Sequence, residues 1–329
     1  MTYHLWSARC VPALFMLVTL CLTMPVQAQE QHYAGFNVLR LTPSARAAAL
    51  GGSLQATYGE DINTVFYNPA LLNERMHRGL SVSYLSHLAD INAGSAVYGW
   101  HLGGVATVAA GIRYLHWGTL QGADAAGMRT GAFSASDLVF TVGAARTHNA
   151  QFRYGANIHV VYSAIEQASA SALAADVGVL YYLTRQQIGI AASAHNIGVT
   201  LSSLGPTDDA LPFDLRIGIT KQLRYVPLLV TLTGRHLHTV FDAQRGNNVG
   251  GKILSHILIG GEFRVSRNLA LRIGYDHRQH TSLQKTDSRL DLAGFGVGFE
   301  IRIRRFRLDY AYQSWSFSGV HHLTIRSTI

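Results

Sequence analysis

Cysteine is nearly missing from this sequence. Only Cys10 and Cys21 occur, both inside the first 28 residues. Those residues read as a targeting segment. Arg9 precedes an apolar run from Val11 to Met24, and Val26-Gln27-Ala28 supplies the small residues that a signal peptidase needs. The run is shorter than the roughly 20 residues of a membrane-spanning helix, so cleavage after Ala28 is expected rather than an uncleaved anchor. The mature chain then has no thiol. Disulfides, thiolate nucleophiles and cysteine metal sites are excluded with it. Cys21 follows Leu20, not a small residue, which makes it a poor lipid-attachment site.

Charge is scarce too. Charged residues are 14% of the chain, against roughly 25% in soluble proteins. Long apolar runs are absent after the targeting segment, so no transmembrane helix is expected. The formal net charge is +8, but the arginines are scattered singly and no Lys/Arg-rich run stands out. Nucleic acid is therefore not an expected partner; anionic surface glycolipid or protein fits the balance better. Neither a Gly-x-Ser-x-Gly elbow nor a His-Glu-x-x-His motif occurs. Asp208 and Asp209 are adjacent and read as a solvated loop, not an acid/base pair. His236 and His238 read as two residues apart on one strand face, without a third ligand, so no metal site is expected. No nucleophile–base pair, catalytic residue or cofactor site can be nominated.

What is present is alternation. Phe306, Leu308, Tyr310 and Tyr312 alternate with Arg305, Arg307, Asp309 and Gln313, and Leu269, Leu271, Ile273 and Tyr275 with Ala270, Arg272, Gly274 and Asp276. Such a period of two puts one apolar and one polar face on a strand. Fourteen segments of this kind follow one another, at 80–88, 93–102, 104–117, 133–146, 151–165, 171–183, 186–196, 212–223, 225–237, 253–264, 268–278, 290–303, 305–314 and 320–328. Their lengths suit tilted strands crossing a bilayer, and an even number suits a bacterial barrel. Links at Thr184-Arg185, Arg224 and Ser266 are tight, while those near 118–132, 197–211, 238–252 and 279–289 are long. The expected fold is an all-β outer-membrane barrel of fourteen antiparallel strands over 79–329.

Residues 29–78 do not alternate. Ser44 to Gly52 reads as a short helix stopped at Gly51, and Pro69 opens a helical turn after Asp61–Asn68. A plug or periplasmic cap with short helices is the expectation. Glycines such as Gly294, Gly296 and Gly298 would leave it room. Inward charges are expected at Arg153, Arg216, Glu262, Arg264, Arg272, Asp276, Glu300, Arg302, Arg307 and Asp309. Both signs occur, which suits ion pairing better than a selective pore.

Ser44-Ala45-Arg46-Ala47-Ala48-Ala49-Leu50-Gly51-Gly52 and Phe66-Tyr67-Asn68-Pro69-Ala70-Leu71-Leu72 resemble the N-terminal signature of the PorV/PorQ family. Tyr84 with Ala89-Asp90-Ile91, Gly131-Ala132-Phe133-Ser134-Ala135-Ser136-Asp137, Asn196-Ile197-Gly198 and Leu211-Pro212-Phe213-Asp214-Leu215 resemble its PorQ branch. The resemblance runs from about residue 36 to 237. It implies a barrel of the fatty-acid-transporter type with an N-terminal segment folded into it. It also implies a role in type IX secretion: anchoring a surface complex with a PorZ-like surface protein, a PorU-like sortase and a PorV-like barrel. Peptidase chemistry would belong to the sortase. The shared fold offers a second expectation, transport of hydrophobic small molecules, which needs an apolar pocket and a gap in the wall.

Overall fold

A computed structural model describes residues 35–329 except 88–89, 124–125, 206–208, 241–248, 284–291 and 316–318. The targeting segment, Ala89, Asp208 and parts of the loops near 238–252 and 279–289 lie outside the described residues.

Fourteen strands form one closed antiparallel barrel in which every strand pairs with its sequence neighbours and β1 pairs with β14. They are β1 Gly79–Ser86, β2 Asn92–Leu102, β3 Ala106–Ala123, β4 Arg129–Thr147, β5 Phe152–Ile165, β6 Ala168–Leu183, β7 Ile188–Ser202, β8 Asp214–Gln222, β9 Leu228–Gly234, β10 Ile257–Arg264, β11 Leu269–Asp276, β12 Phe295–Ile303, β13 Phe306–Ser314 and β14 Gly319–Thr328. The alternation has the inverted sense of a membrane barrel. Val82, Tyr84, Ile158, Val160, Tyr162 and Ile273 are exposed on the outside, whereas Ser81, Ser83, Asn157, His159 and Arg272 are buried inside. Outward tyrosines mark both ends of the apolar band: Tyr84, Tyr114 and Tyr162 at one, Tyr154 and Tyr181 at the other. That belongs to a wall in hydrocarbon around a polar interior. The chain is an outer-membrane-type barrel.

Two regions depart from the alternation reading. The expected loop at 118–132 is largely strand, because β3 and β4 continue to pair through Thr119↔Ser134, Leu120↔Phe133 and Gln121↔Ala132. A register shift between His116 and Thr119, with Gly118 at φ 72°, breaks the period there while hydrogen bonding carries on. The segment expected as a strand over 225–237 ends at Gly234, so His236 and His238 are not on a strand. His236 has φ 53° and opens a short 3₁₀ turn, with its ring 6.2 Å from that of His238.

Residues 35–78 lie inside the barrel. They form 3₁₀ turns at Asn37–Arg40, Ile62–Phe66, Pro69–Leu71 and Glu74–Met76 and a short helix at Ala45–Ala49. All five helix residues are buried, and Gly51 (φ 86°) and Gly52 (φ 105°) turn the chain after it. Asp61 and Asn68 cap the turns they precede, accepting from the backbone N–H of Asn63 and Ala70. Such short pieces cannot bury their own apolar surface. Leu54, Val65, Phe66 and Leu72 do so against each other and against small wall residues such as Ala109 and Ala145.

Candidate functional site

The interface between this plug and the wall carries most of the buried charge. Arg46, on the helix Ala45–Ala49, donates from Nε to Glu262 on β10 at 2.8 Å and from Nη1 to Asp61 at 3.4 Å. Arg272 on β11 donates to the same Glu262 oxygen at 2.8 Å and also to Glu300 on β12 and Asp309 on β13. Arg326 on β14 donates to Asp309 and Glu300, both at 2.8 Å, and lies 3.5 Å from Asp61. Three guanidiniums thus serve four carboxylates, with two of the seven groups from the plug and five from consecutive strands. A buried charge without a partner costs several kcal/mol (about 3–5 when one partner is removed), so the members hold each other in place. Burial alone would raise the Asp61 carboxyl; Arg326, Arg46 and Asn63 outweigh it and hold it below its ordinary value.

The inward charges expected from alternation divide into three groups. Glu262, Arg272, Glu300 and Asp309 belong to this cluster. Arg216 donates to Asp214 at 2.6 Å, Asp276 accepts from Arg235, Arg307 donates to Glu60, and Arg153 lies 4.8 Å over the Tyr58 ring. Arg264 and Arg302 are instead at the rim, their side chains 60% and 40% exposed, because β10 and β12 run out there. Arg326 was missed, although Leu323 and Ile325 alternate with Thr324 and would have pointed it inward.

Asp176 on β6 organises a second cluster. It accepts from Asn157 Nδ2 (3.1 Å) and the Asn196 backbone N–H (2.9 Å), and lies 2.8 Å from His159 Nε2 and 3.2 Å from His195 Nδ1. His195 Nε2 is 2.7 Å from Ser193 Oγ, and the amide end of Gln55, from the plug, lies 2.7 Å from that hydroxyl. A Ser–His–Asp arrangement therefore exists where no nucleophile–base pair was expected. It is created by an irregularity between Ala175 and Val177 and by Asn196 at φ 56°, neither of which follows a period of two. Ser193 is 4% exposed and covered by Gln55, and neither described cleft reaches it. Its chemistry here is to tie plug to wall.

The motif residues of the plug occupy this same interface, whereas Pro212, Phe213 and Asp214 join β7, β8 and the turn after β9. Ser44 Oγ is 3.2 Å from the Tyr67 hydroxyl, and Asn68 donates to Gln55 O at 3.1 Å beside Pro69. A Cβ on Gly274 would stand 2.1 Å from Gly51 N, and one on Gly296 2.4 Å from Ala48 O. The lumen glycines are contact surfaces for plug backbone. Pro212 O accepts from Asn196 at 2.8 Å, Phe213 packs on His238, and Asp214 accepts from the His236 backbone N–H at 2.6 Å, while Leu211 packs at the edge of an apolar cluster. Asp209 is not solvated. It is 4% exposed and accepts from Leu204 N and Gly35 N, holding the start of the plug at the long-loop end.

Two clefts remain. One, narrow and partly open, lies between Val38, Leu41 and Pro43 of the plug and β1–β3, with Arg113 in its lining. Arg113 is 6% exposed, stacks over Phe66 at 5.2 Å, and its Nε has no hydrogen-bond partner. The other, wider and partly open, lies at the tight-turn mouth and is lined largely by arginine.

Among solved structures, the toluene transporter TodX of Pseudomonas putida matches with a TM-score of 0.52 at 14% identity, covering 87% of this chain and 97% of its own. The fold is that of the FadL/TodX-type outer-membrane barrels. A Pseudomonas aeruginosa FadL homologue matches with a TM-score of 0.51 at 11% identity, covering 88% and 98%. The CymD monoaromatic hydrocarbon channel matches at 0.53 and 12%, covering 90% and 99%. No family model matches the chain, and no curated protein does.

Proposed function

We propose that this FadL-like barrel is a non-enzymatic outer-membrane anchor of a type IX secretion system, holding a surface attachment complex by its long loops. The observation that carries the reading is the filled lumen. Residues 35–78 occupy it and are fastened through Arg46, Gln55, Asp61 and Asn68, so the loops are the surface left to work with. Support also comes from the PorQ-type motifs, whose residues Arg46, Gly51, Asp61 and Asn68 lie in this interface. The expected direct partner is a PorZ-like surface protein, beside a PorU-like sortase and a PorV-like barrel. The three similar structures named above are a transporter, a FadL homologue and a channel, not parts of a type IX secretion system. The test is deletion of the gene with cargo followed on the cell surface. Loss of attached cargo is expected; cargo still processed and retained sinks the reading.

The comparisons favour a second reading, passage of apolar small molecules through the outer membrane. TodX and CymD are a toluene transporter and a hydrocarbon channel, and a narrow, largely apolar cleft beneath Val38, Leu41 and Pro43 would have to widen to admit such a molecule. Uptake of labelled toluene by cells with and without the protein separates the two. A several-fold gain in uptake with cargo attachment unchanged selects transport.

A further inference from the structure

We infer that the tight-turn mouth of the barrel binds a phosphate-bearing anion. The β12–β13 hairpin carries Arg302, Arg304, Arg305 and Arg307, so the arginines are not scattered singly here. Arg302 pairs directly with Arg307 across the strands, and Arg307 with Arg326 on its other side. Three cationic residues thus stand in one row across β12, β13 and β14. Like charges directly opposite one another destabilise a sheet, so a row of this kind needs compensation.

The chain compensates only part of it. Arg326 turns inward to Asp309 and Glu300, and Arg307 takes Glu60. Arg302 reaches no closer than 3.9 Å to Glu300, and its Nε is buried without a hydrogen-bond partner. Arg75, at the plug side of the cleft, and Arg304 and Arg305 in the turn make no ion pair among the described residues. Glu60 is the only carboxylate in the lining. The residual charge is strongly positive.

Guanidinium offers a planar fork that matches phosphate oxygens two at a time. The hydroxyl residues Ser327 and Thr328 line the same cleft and can donate to further oxygens. A phosphate carrying up to two negative charges neutralises more of the excess than a carboxylate does. The phosphate can be free or the head group of an anionic phospholipid. Ile303 and Phe306, 62% and 48% exposed, flank the turn on the outer face and bring it to the lipid boundary.

The full-length protein in detergent is titrated with pyrophosphate, and separately with sodium chloride at matched ionic strength, while its melting is followed. In parallel, native mass spectrometry reads lipid retention from nanodiscs of phosphatidylcholine with or without phosphatidylglycerol. The comparison variant carries Arg302→Gln, Arg304→Ser and Arg305→Ser. Pyrophosphate is expected to raise the wild-type melting temperature beyond chloride, with at least about tenfold weaker binding in the variant. A shift with pyrophosphate points to a free phosphate; retention of phosphatidylglycerol without that shift points to the lipid. If the wild type distinguishes neither pyrophosphate from chloride nor phosphatidylglycerol from phosphatidylcholine, the inference is overturned, whether or not the variant folds. Equal binding by a folded variant overturns it as well.

Discussion

Arg272 has three carboxylates within hydrogen-bonding distance and a side chain entirely sealed from solvent. Changing it to Met leaves Glu262 with Arg46 and leaves Glu300 and Asp309 to share Arg326. The expected loss is about 3–5 kcal/mol, read as an earlier loss of heat-resistant mobility on gels. A wild-type melting profile would contradict the account. The acid side of the network also has a pH signature. Asp61 and Glu60 are held below their ordinary values, Glu60 chiefly by the hydrogen bond from Arg307, against the burial that raises it. Carboxylates depressed in the folded state stabilise it above their unfolded pKa and lose that effect as pH falls through the folded one. The melting-temperature difference between wild type and a Glu60→Gln/Asp61→Asn variant should therefore be constant from neutral pH to about 5 and shrink below about 4. The loss below about 6.5 expected of His236, which burial pulls down to about 3, is common to both proteins. A difference that shrinks already near neutral pH would assign it to other groups. Glu262, Arg272, Glu300 and Asp309 were legible in the sequence because each occupies the polar phase of a clean alternation. Asp176, Ser193 and His195 were not, since what joins them is an irregular pairing and a plug glutamine distant in sequence.

At the scale of elements, the plug and the strands fit by removal of side chains as much as by attraction. Gly274→Ala places a methyl group 2.1 Å from the backbone of Gly51. The wall cannot yield without breaking its pairing, so the plug must shift, at a cost of 1–3 kcal/mol or more, as in an overpacked core (about that range). Gly261→Ala is the control, for its nearest neighbours are 3.8 Å away. Limited proteolysis should cut residues 35–78 faster in the first variant and leave the second like wild type. Equal cutting would mean that the plug does not bear on Gly274. The fourteen strands themselves were readable, because a polar lumen and an apolar exterior impose a period of two for the whole width of the membrane. Beyond the membrane that pressure ends. The β3–β4 extension is held by backbone pairing with both faces largely exposed, and composition there resembles a loop. His236 shows the opposite error, where residues of strand-like type follow the true end of β9 at Gly234.

For the whole molecule, the consequence is a barrel whose interior is largely occupied by its own chain. The wall supplies membrane residence, the plug fills the lumen, and the ion network joins them. Replacement of the β3–β4 extension near 118–132 and of the loop near 238–252 should abolish pull-down of a PorZ-like partner without changing the melting temperature; unchanged pull-down would move the docking surface elsewhere. Periodicity alone left residues 29–78 without a pattern, and the contacts of Arg46 with Asp61 and of Asn68 with Gln55 became visible only in the fold. The functional meaning of the PorQ-type motifs depends on the lumen being closed in the working protein. Planar-bilayer conductance tests this most directly. The account predicts no steady channel for the wild-type protein and step-like openings for Arg46→Ala combined with Asp61→Ala, which cuts both plug arms of the network. A wild-type protein that conducts as steadily as this variant would contradict it.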